Sequence, residues 1–160
     1  MAGRPPTAAE YRRVYATLAY QFDEKVARAL THPPEDLKVE LSGTGRVRYV
    51  WRGDSMILTL RASDGLFALS IEACNIIVRA VEPPRFRVVI MRGEAGNIKG
   101  NIMRPVVVDL DPGLRPGDEV IVVDEDDVVV GVGKLKLPPL TVKNVEKGEI
   151  VRVRRLAGEV

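Results

Sequence analysis

Two β-branched runs, Val120-Ile121-Val122-Val123 and Val128-Val129-Val130, flank four acidic residues, Asp124-Glu125-Asp126-Asp127. Such runs favour extended backbone, so the segment reads as a hairpin with a charged tip that also discourages edge pairing. Before it, Arg115-Pro116-Gly117-Asp118 reads as a tight turn: proline presets φ and glycine takes φ > 0. After it come Gly131 and Gly133, then the alternating Lys134-Leu135-Lys136-Leu137. The stretch from Gly100 to Gly133 holds no His, Cys or Ser, so its chemistry is structural and not catalytic.

More short strands surround this hairpin. Arg85-Phe86-Arg87-Val88-Val89-Ile90 enters a core, and Ile150-Val151-Arg152-Val153-Arg154-Arg155 alternates after Gly148. Glu94 to Gly100 reads as a short helix or turn weakened by two glycines. Five or six strands over roughly 75 residues with little helix predict a small closed barrel.

The first half differs. Thr7-Ala8-Ala9-Glu10 is a capping box, and apolar residues recur at helical spacing from Tyr11 to Leu30, predicting one long helix that ends at His32-Pro33-Pro34. Three strands follow as a meander: Leu37–Leu41, Arg46–Arg52 and Met56–Arg61. A fourth is expected over Leu66–Ser70 and a helix over Ile71–Val81, although Ile76-Ile77-Val78 suits a strand equally. Pro83-Pro84 marks the boundary, giving domains 1–82 and 83–160. The fold class is α+β: a small α/β domain built from a long helix and an antiparallel meander, then a β pseudobarrel.

Composition narrows the function. The 24 Lys and Arg against 22 Asp and Glu leave a net charge of +2, so any nucleic-acid site is a local patch. The single Cys74 excludes an internal disulfide and a cysteine-cluster zinc site, and the single His32 makes a catalytic triad improbable. Cys74 reads as a small buried hydrophobe. No apolar run reaches the ~20 residues that span a bilayer, and the first residues lack a secretory pattern. A cytoplasmic protein without membrane contact, metal or cofactor is expected.

Several pieces then look familiar. Gly100, Arg104-Pro105-Val106, Arg115-Pro116-Gly117-Asp118-Glu119-Val120, Val130-Gly131-Val132-Gly133-Lys134 and Gly148-Glu149-Ile150-Val151 resemble the PUA domain, an RNA-binding barrel. Tyr20-Gln21-Phe22, Thr44-Gly45-Arg46-Val47-Arg48, Leu60-Arg61-Ala62 and Asp64-Gly65-Leu66-Phe67 resemble the segment preceding PUA in archaeal archaeosine tRNA-guanine transglycosylases. Nearly the whole chain is similar to the C-terminal RNA-binding portion of such an enzyme standing alone. The catalytic barrel with its aspartates and zinc site has no counterpart. The family often has Gly-Lys and an aromatic where this chain reads Gly100-Asn101-Ile102-Met103, with Lys99 ahead of the glycine.

The resemblance implies a non-catalytic RNA-binding protein, with tRNA or another structured RNA and an RNA-modifying enzyme as partners. The alternative is a protein-interaction module that has lost RNA binding. An enzyme would need a carboxylate pair such as Asp64 with Glu72, or Asp118 with Glu119, and nothing singles one out. The resemblance implies RNA contact at the loop with Lys99, Gly100, Asn101 and Arg104; further candidates are Arg92 before it, Lys134 and Lys136 after the hairpin, and Arg152, Arg154 and Arg155 near the end. Alternation sets Arg152 and Arg154 on one face, and Arg85 and Arg87 share that geometry. It also aligns Arg46, Arg48, Val50 and Arg52 opposite Val47, Tyr49 and Trp51, so Arg46, Arg48, Arg52, Arg85 and Arg87 form a secondary set.

Overall fold

The computed structural model describes residues 3–158, which fall into two compact units divided between Val81 and Glu82. Met1, Ala2, Glu159 and Val160 of the expected domains lie outside the described residues.

The first unit opens with helix α1 (Ala8–Gln21). Both halves of the capping box form: Thr7 Oγ1 accepts from the Glu10 amide at 3.1 Å, and the Thr7 amide donates to Glu10 Oε1 at 2.9 Å. Helix α2 follows (Glu24–Thr31), so the single long helix is corrected to two. The break falls at Phe22-Asp23, where Asp23 turns extended and its carboxylate accepts from the Val26 amide at 2.8 Å. Aspartate is worth more as a cap than inside a helix, and this one starts a new helix without disturbing the apolar spacing.

Strands β1 (Leu37–Leu41), β2 (Val47–Arg52), β3 (Ser55–Leu60) and β4 (Phe67–Leu69) pair antiparallel in chain order. Helix α3 (Ile71–Ala80) follows, with Cys74 and Ile77 buried. Gln21 closes one sheet edge: its amide donates to Phe67 O and accepts from Phe67 N, both at 2.8 Å, in place of a neighbouring strand. Residues before α1 protect the other edge, since Arg4 and Val39 exchange two backbone hydrogen bonds.

Arg4 also clamps Glu10, with nitrogen–oxygen distances of 2.8 and 2.9 Å. That guanidinium, with help from the Thr7 amide, lowers the Glu10 carboxyl from its ordinary 4.5 to about 2. A depressed carboxyl stabilises the fold fully above its unfolded value and stops doing so as pH falls through the folded value. Urea unfolding of wild type and Glu10→Gln checks this. The wild-type advantage should stay constant above about pH 5 and close as pH falls towards about 2; a gap constant down to that pH contradicts the assignment.

The second unit contains strands β5 (Arg87–Ile90), β6 (Asn101–Met103), β7 (Val107–Leu110), β8 (Glu119–Val123), β9 (Val129–Leu135) and β10 (Glu149–Leu156). They form one curled sheet in the order β6-β10-β9-β8-β5-β7, with β5–β8 parallel and every other pair antiparallel. One face buries Val88, Ile90, Ile102, Leu135, Ile150 and Val151. A short helix α4 (Pro139–Asn144) precedes β10, with Val142 added to that core. The Arg115–Asp118 turn forms as expected, with Gly117 at φ +90° and Asp118 N donating to Arg115 O at 3.0 Å. A tighter constraint lies at Gly133: an added Cβ would sit 2.0 Å from the Arg152 carbonyl oxygen. Glycine there lets β10 cross β9 at close range where the sheet curls.

Candidate nucleic-acid interface

The register aligns one face of the second unit. Asn101 on β6 stands opposite Arg152 on β10, Arg152 opposite Lys134 on β9, and Lys134 opposite Glu119 on β8. Opposed residues point the same way, so these four make a row across four strands, roughly 14 Å long at ordinary strand spacing. Lys136 shares the face of Lys134 by period two. Simple alternation would put Arg155 on the opposite side from Arg152. A register shift between Val153 and Arg155 sets Arg155 opposite Val132, two residues from Lys134, and so brings it to the same face.

Arg154, at the bulge, reaches Glu119 on this row. Its two guanidinium nitrogens lie 2.8 and 2.6 Å from the carboxylate oxygens. The Glu119 side chain has 0% exposure and that of Arg154 38%, so the pair spans from interior to surface. Arg152 binds Glu149 at 2.9 and 3.2 Å, and Asn101 donates to the same carboxylate at 3.2 Å. Arg152 accordingly lowers the Glu149 pKa, and Glu149 raises that of Arg152. Five cations (Lys134, Lys136, Arg152, Arg154, Arg155) and two carboxylates (Glu119, Glu149) therefore share the face. Lys134, Lys136 and Arg155 are exposed, and none forms an ion pair with a described residue.

The preceding loop is less free than its sequence implies. The Arg92 guanidinium forms a two-pronged pair with Asp126 at 2.8 and 3.0 Å, and the Arg92 amide donates to Glu125 at 2.8 Å. This contact lowers the pKa of Asp126 and raises that of Arg92, although both side chains remain more than half exposed. Arg104 donates to the carbonyls of Val142 at 2.6 Å and Val107 at 2.9 Å, tying α4 to β7. Lys99 and Asn101 are exposed. A Cβ at Gly100 would meet nothing within 4 Å, and its φ is not left-handed, so local packing does not require glycine there.

The secondary set is largely reassigned. Arg87 has 0% exposure and pairs with Asp127 at 2.7 and 2.8 Å, so it is removed as a surface contact. Asp127 reaches it from a left-handed residue, φ 62°, a conformation aspartate tolerates. Arg85 lies over the Phe86 ring at 4.6 Å. The Arg46-Arg48-Val50-Arg52 row does not survive either. Register shifts on both sides of β2 put Val47 and Val50 into the interior together. Arg52 donates to Ala29 O at 2.6 Å, and Arg48 lies 5.3 Å from the Tyr49 ring centroid.

The acidic tip has four internal uses. Asp124 accepts from the amides of Asp126 and Val128, Glu125 and Asp126 hold Arg92, and Asp127 holds Arg87. Among the carboxylates weighed for acid/base work, Asp64 binds Arg61, Asp118 binds the Arg115 amide and Glu119 binds Arg154. Sequence reasoning missed these carboxylate partners. The nearly equal numbers of basic and acidic residues were the only available signal, and they do not say which residues pair.

Comparison with known proteins fits this architecture. Residues 86–157 match the PUA domain family. The second unit is a PUA domain. Residues 12–84 match the patch-forming domain C2 of tRNA-guanine transglycosylase. The chain is 34% identical over 154 residues to the tRNA-guanine(15) transglycosylase of Pyrococcus abyssi, covering 95% of this chain and 26% of that protein. It is 36% identical to that of Thermococcus kodakarensis, covering 94% and 26%. It thus spans about a quarter of the length of these curated relatives, and the two domains matched include no catalytic domain.

Solved structures share the fold. A hypothetical protein of Pyrococcus horikoshii superposes with a TM-score of 0.77 at 21% identity, covering 99% of this chain and 96% of that one. A PUA domain protein of Thermoplasma acidophilum gives 0.67 at 16%, covering 99% and 95%. The fold of this chain therefore recurs, over almost this length, in other chains. Among the described residues, no helix is long and apolar enough to cross a membrane.

Proposed function

We propose that this protein binds structured RNA, tRNA first among them, through the β6-β10-β9 face of its PUA domain, and that it serves RNA modification without catalysing a reaction itself. The cationic face carries the reading: Lys134, Lys136 and Arg155 extend from it without an ion pair to any described residue, beside the partly neutralised Arg152 and Arg154. Exposed lysines and arginines bind phosphates by releasing counterions, and a curled rigid sheet sets their spacing. Lys99 and the open Gly100 flank the row, where a backbone without Cβ allows close approach of a phosphate. The relatives' name supports tRNA as the first ligand to test and a modifying enzyme as the partner.

Titration of labelled unfractionated tRNA at several salt concentrations tests the reading. Wild type should bind in the low micromolar range or tighter, with affinity falling steeply as salt rises. Lys134→Gln/Lys136→Gln should reduce the log–log salt slope by about two while leaving thermal stability unchanged. Salt-insensitive or absent binding would overturn it and favour the protein-interaction alternative, in which co-purification yields an enzyme without RNA.

A further inference from the structure

The C2-type unit carries a second surface that the cationic sheet face does not explain. Helix α1 buries Val14 and Leu18 on one side. At 100° per residue the opposite side is formed by Ala9, Arg12, Arg13, Ala16 and Tyr20, and all five are exposed. Tyr20 is 83% exposed, the most open of the large apolar side chains among the described residues. The outward side of α1 has no carboxylate, since its one acidic residue, Glu10, sits to the side and is held by Arg4. Neither Arg12 nor Arg13 has an ion pair with a described residue.

The spacing suits one kind of ligand. Arg13 and Tyr20 are seven residues apart, two turns along one side, or roughly 10 Å. Ala16 lies between them, four residues before Tyr20, and its methyl leaves a shallow step beside the ring. A cation, a small gap and an open aromatic face are what an unpaired nucleobase and its own phosphate require. A protein partner would instead be expected to find a cluster of apolar side chains, and the rest of this side of α1 is formed by Ala9, Arg12, Arg13 and Ala16.

We propose that the outer side of α1 is a second RNA contact, in which Tyr20 stacks on an unpaired base and Arg13 holds an adjacent phosphate. This rests on the RNA-binding reading and extends it: the PUA face holds backbone, while α1 selects RNA with an accessible base. Tyr20 and Arg13 lie outside the core, so substitutions there leave the protein folded.

The test compares wild type, Tyr20→Ala, Tyr20→Phe, Arg13→Gln and Lys134→Gln/Lys136→Gln, titrated with unfractionated tRNA and with a blunt RNA duplex. Tyr20→Ala should weaken tRNA binding about 5- to 100-fold, with an unchanged salt slope and unchanged duplex binding. Tyr20→Phe should stay within about 2-fold, since stacking needs the ring and not the hydroxyl. Arg13→Gln should lower the salt slope on tRNA by about one. Wild-type affinity in Tyr20→Ala, equal losses on tRNA and duplex, or a loss in Tyr20→Phe as large as in Tyr20→Ala each overturns the α1 contact. If the lysine variant loses affinity while Tyr20→Ala does not, only this inference falls. If wild type binds neither RNA, both readings fall together.

Discussion

Gly133→Ala should destabilise the fold by more than about 4 kcal/mol, the range reserved for changes a structure cannot absorb. The new methyl would lie 2.0 Å from the Arg152 carbonyl oxygen and 2.8 Å from both Arg152 C and Val153 Cα. These are backbone atoms of the paired strand, so no side chain can rotate away. Relief requires β9 and β10 to separate at the Gly133–Val153 pair, beside the bulge that curls the sheet. Gly131→Ala meets the Arg155 carbonyl oxygen at 2.8 Å and should follow the same course with a smaller loss. Gly100→Ala is the control: its methyl meets nothing, so stability should hold within about 0.5 kcal/mol or rise slightly. Denaturant midpoints of the three variants decide the matter. A Gly133→Ala protein as stable as Gly100→Ala would show that the close approach of the strands is not required.

The contrast between these glycines illustrates what was legible in the chain. Both sit in motifs visible in the sequence, but sequence alone does not tell a glycine needed for strand crossing from one with open space around it. Features governed by neighbouring residues were readable: the Thr7–Glu10 capping box, the 115–118 turn, the meander and the helix over 71–80. The helix break at Asp23 was hidden because the cap preserves the apolar spacing across it. The faces of β2 and β10 were misread for another reason. A bulge adds one residue, and every later side chain changes side, so Val50 turned inward and Arg155 joined Arg152. The ion pairs were the least legible. Arg87–Asp127, Arg92–Asp126 and Arg154–Glu119 join residues 34 to 40 apart, and no local pattern marks such partners. Positive charge alone therefore does not separate exposed lysines from arginines already bound to carboxylates.

Arg154 gives the sharpest test of that distinction. Glu119 is fully buried at the start of β8, and Arg154 supplies it with two charge-assisted hydrogen bonds. Arg154→Ala leaves the buried carboxylate without its guanidinium, at a cost of about 3 kcal/mol, the low end of what breaking a buried pair costs. The low end applies because Arg154 itself is partly open to solvent. Removing both charges should behave differently. Glu119→Gln/Arg154→Met keeps side chains of similar length and leaves no buried ion, so most of the loss should be recovered. The double variant separates architecture from ligand binding. If Arg154 acts mainly by holding Glu119, the double variant binds tRNA within about 3-fold of wild type, since the net charge of the face is unchanged. If it meets a phosphate directly, the folded double variant loses about one from its salt slope, as each exposed lysine should. A folded Arg154→Ala protein of wild-type stability would contradict the buried pair itself, because a carboxylate with no access to water cannot lose its guanidinium without cost.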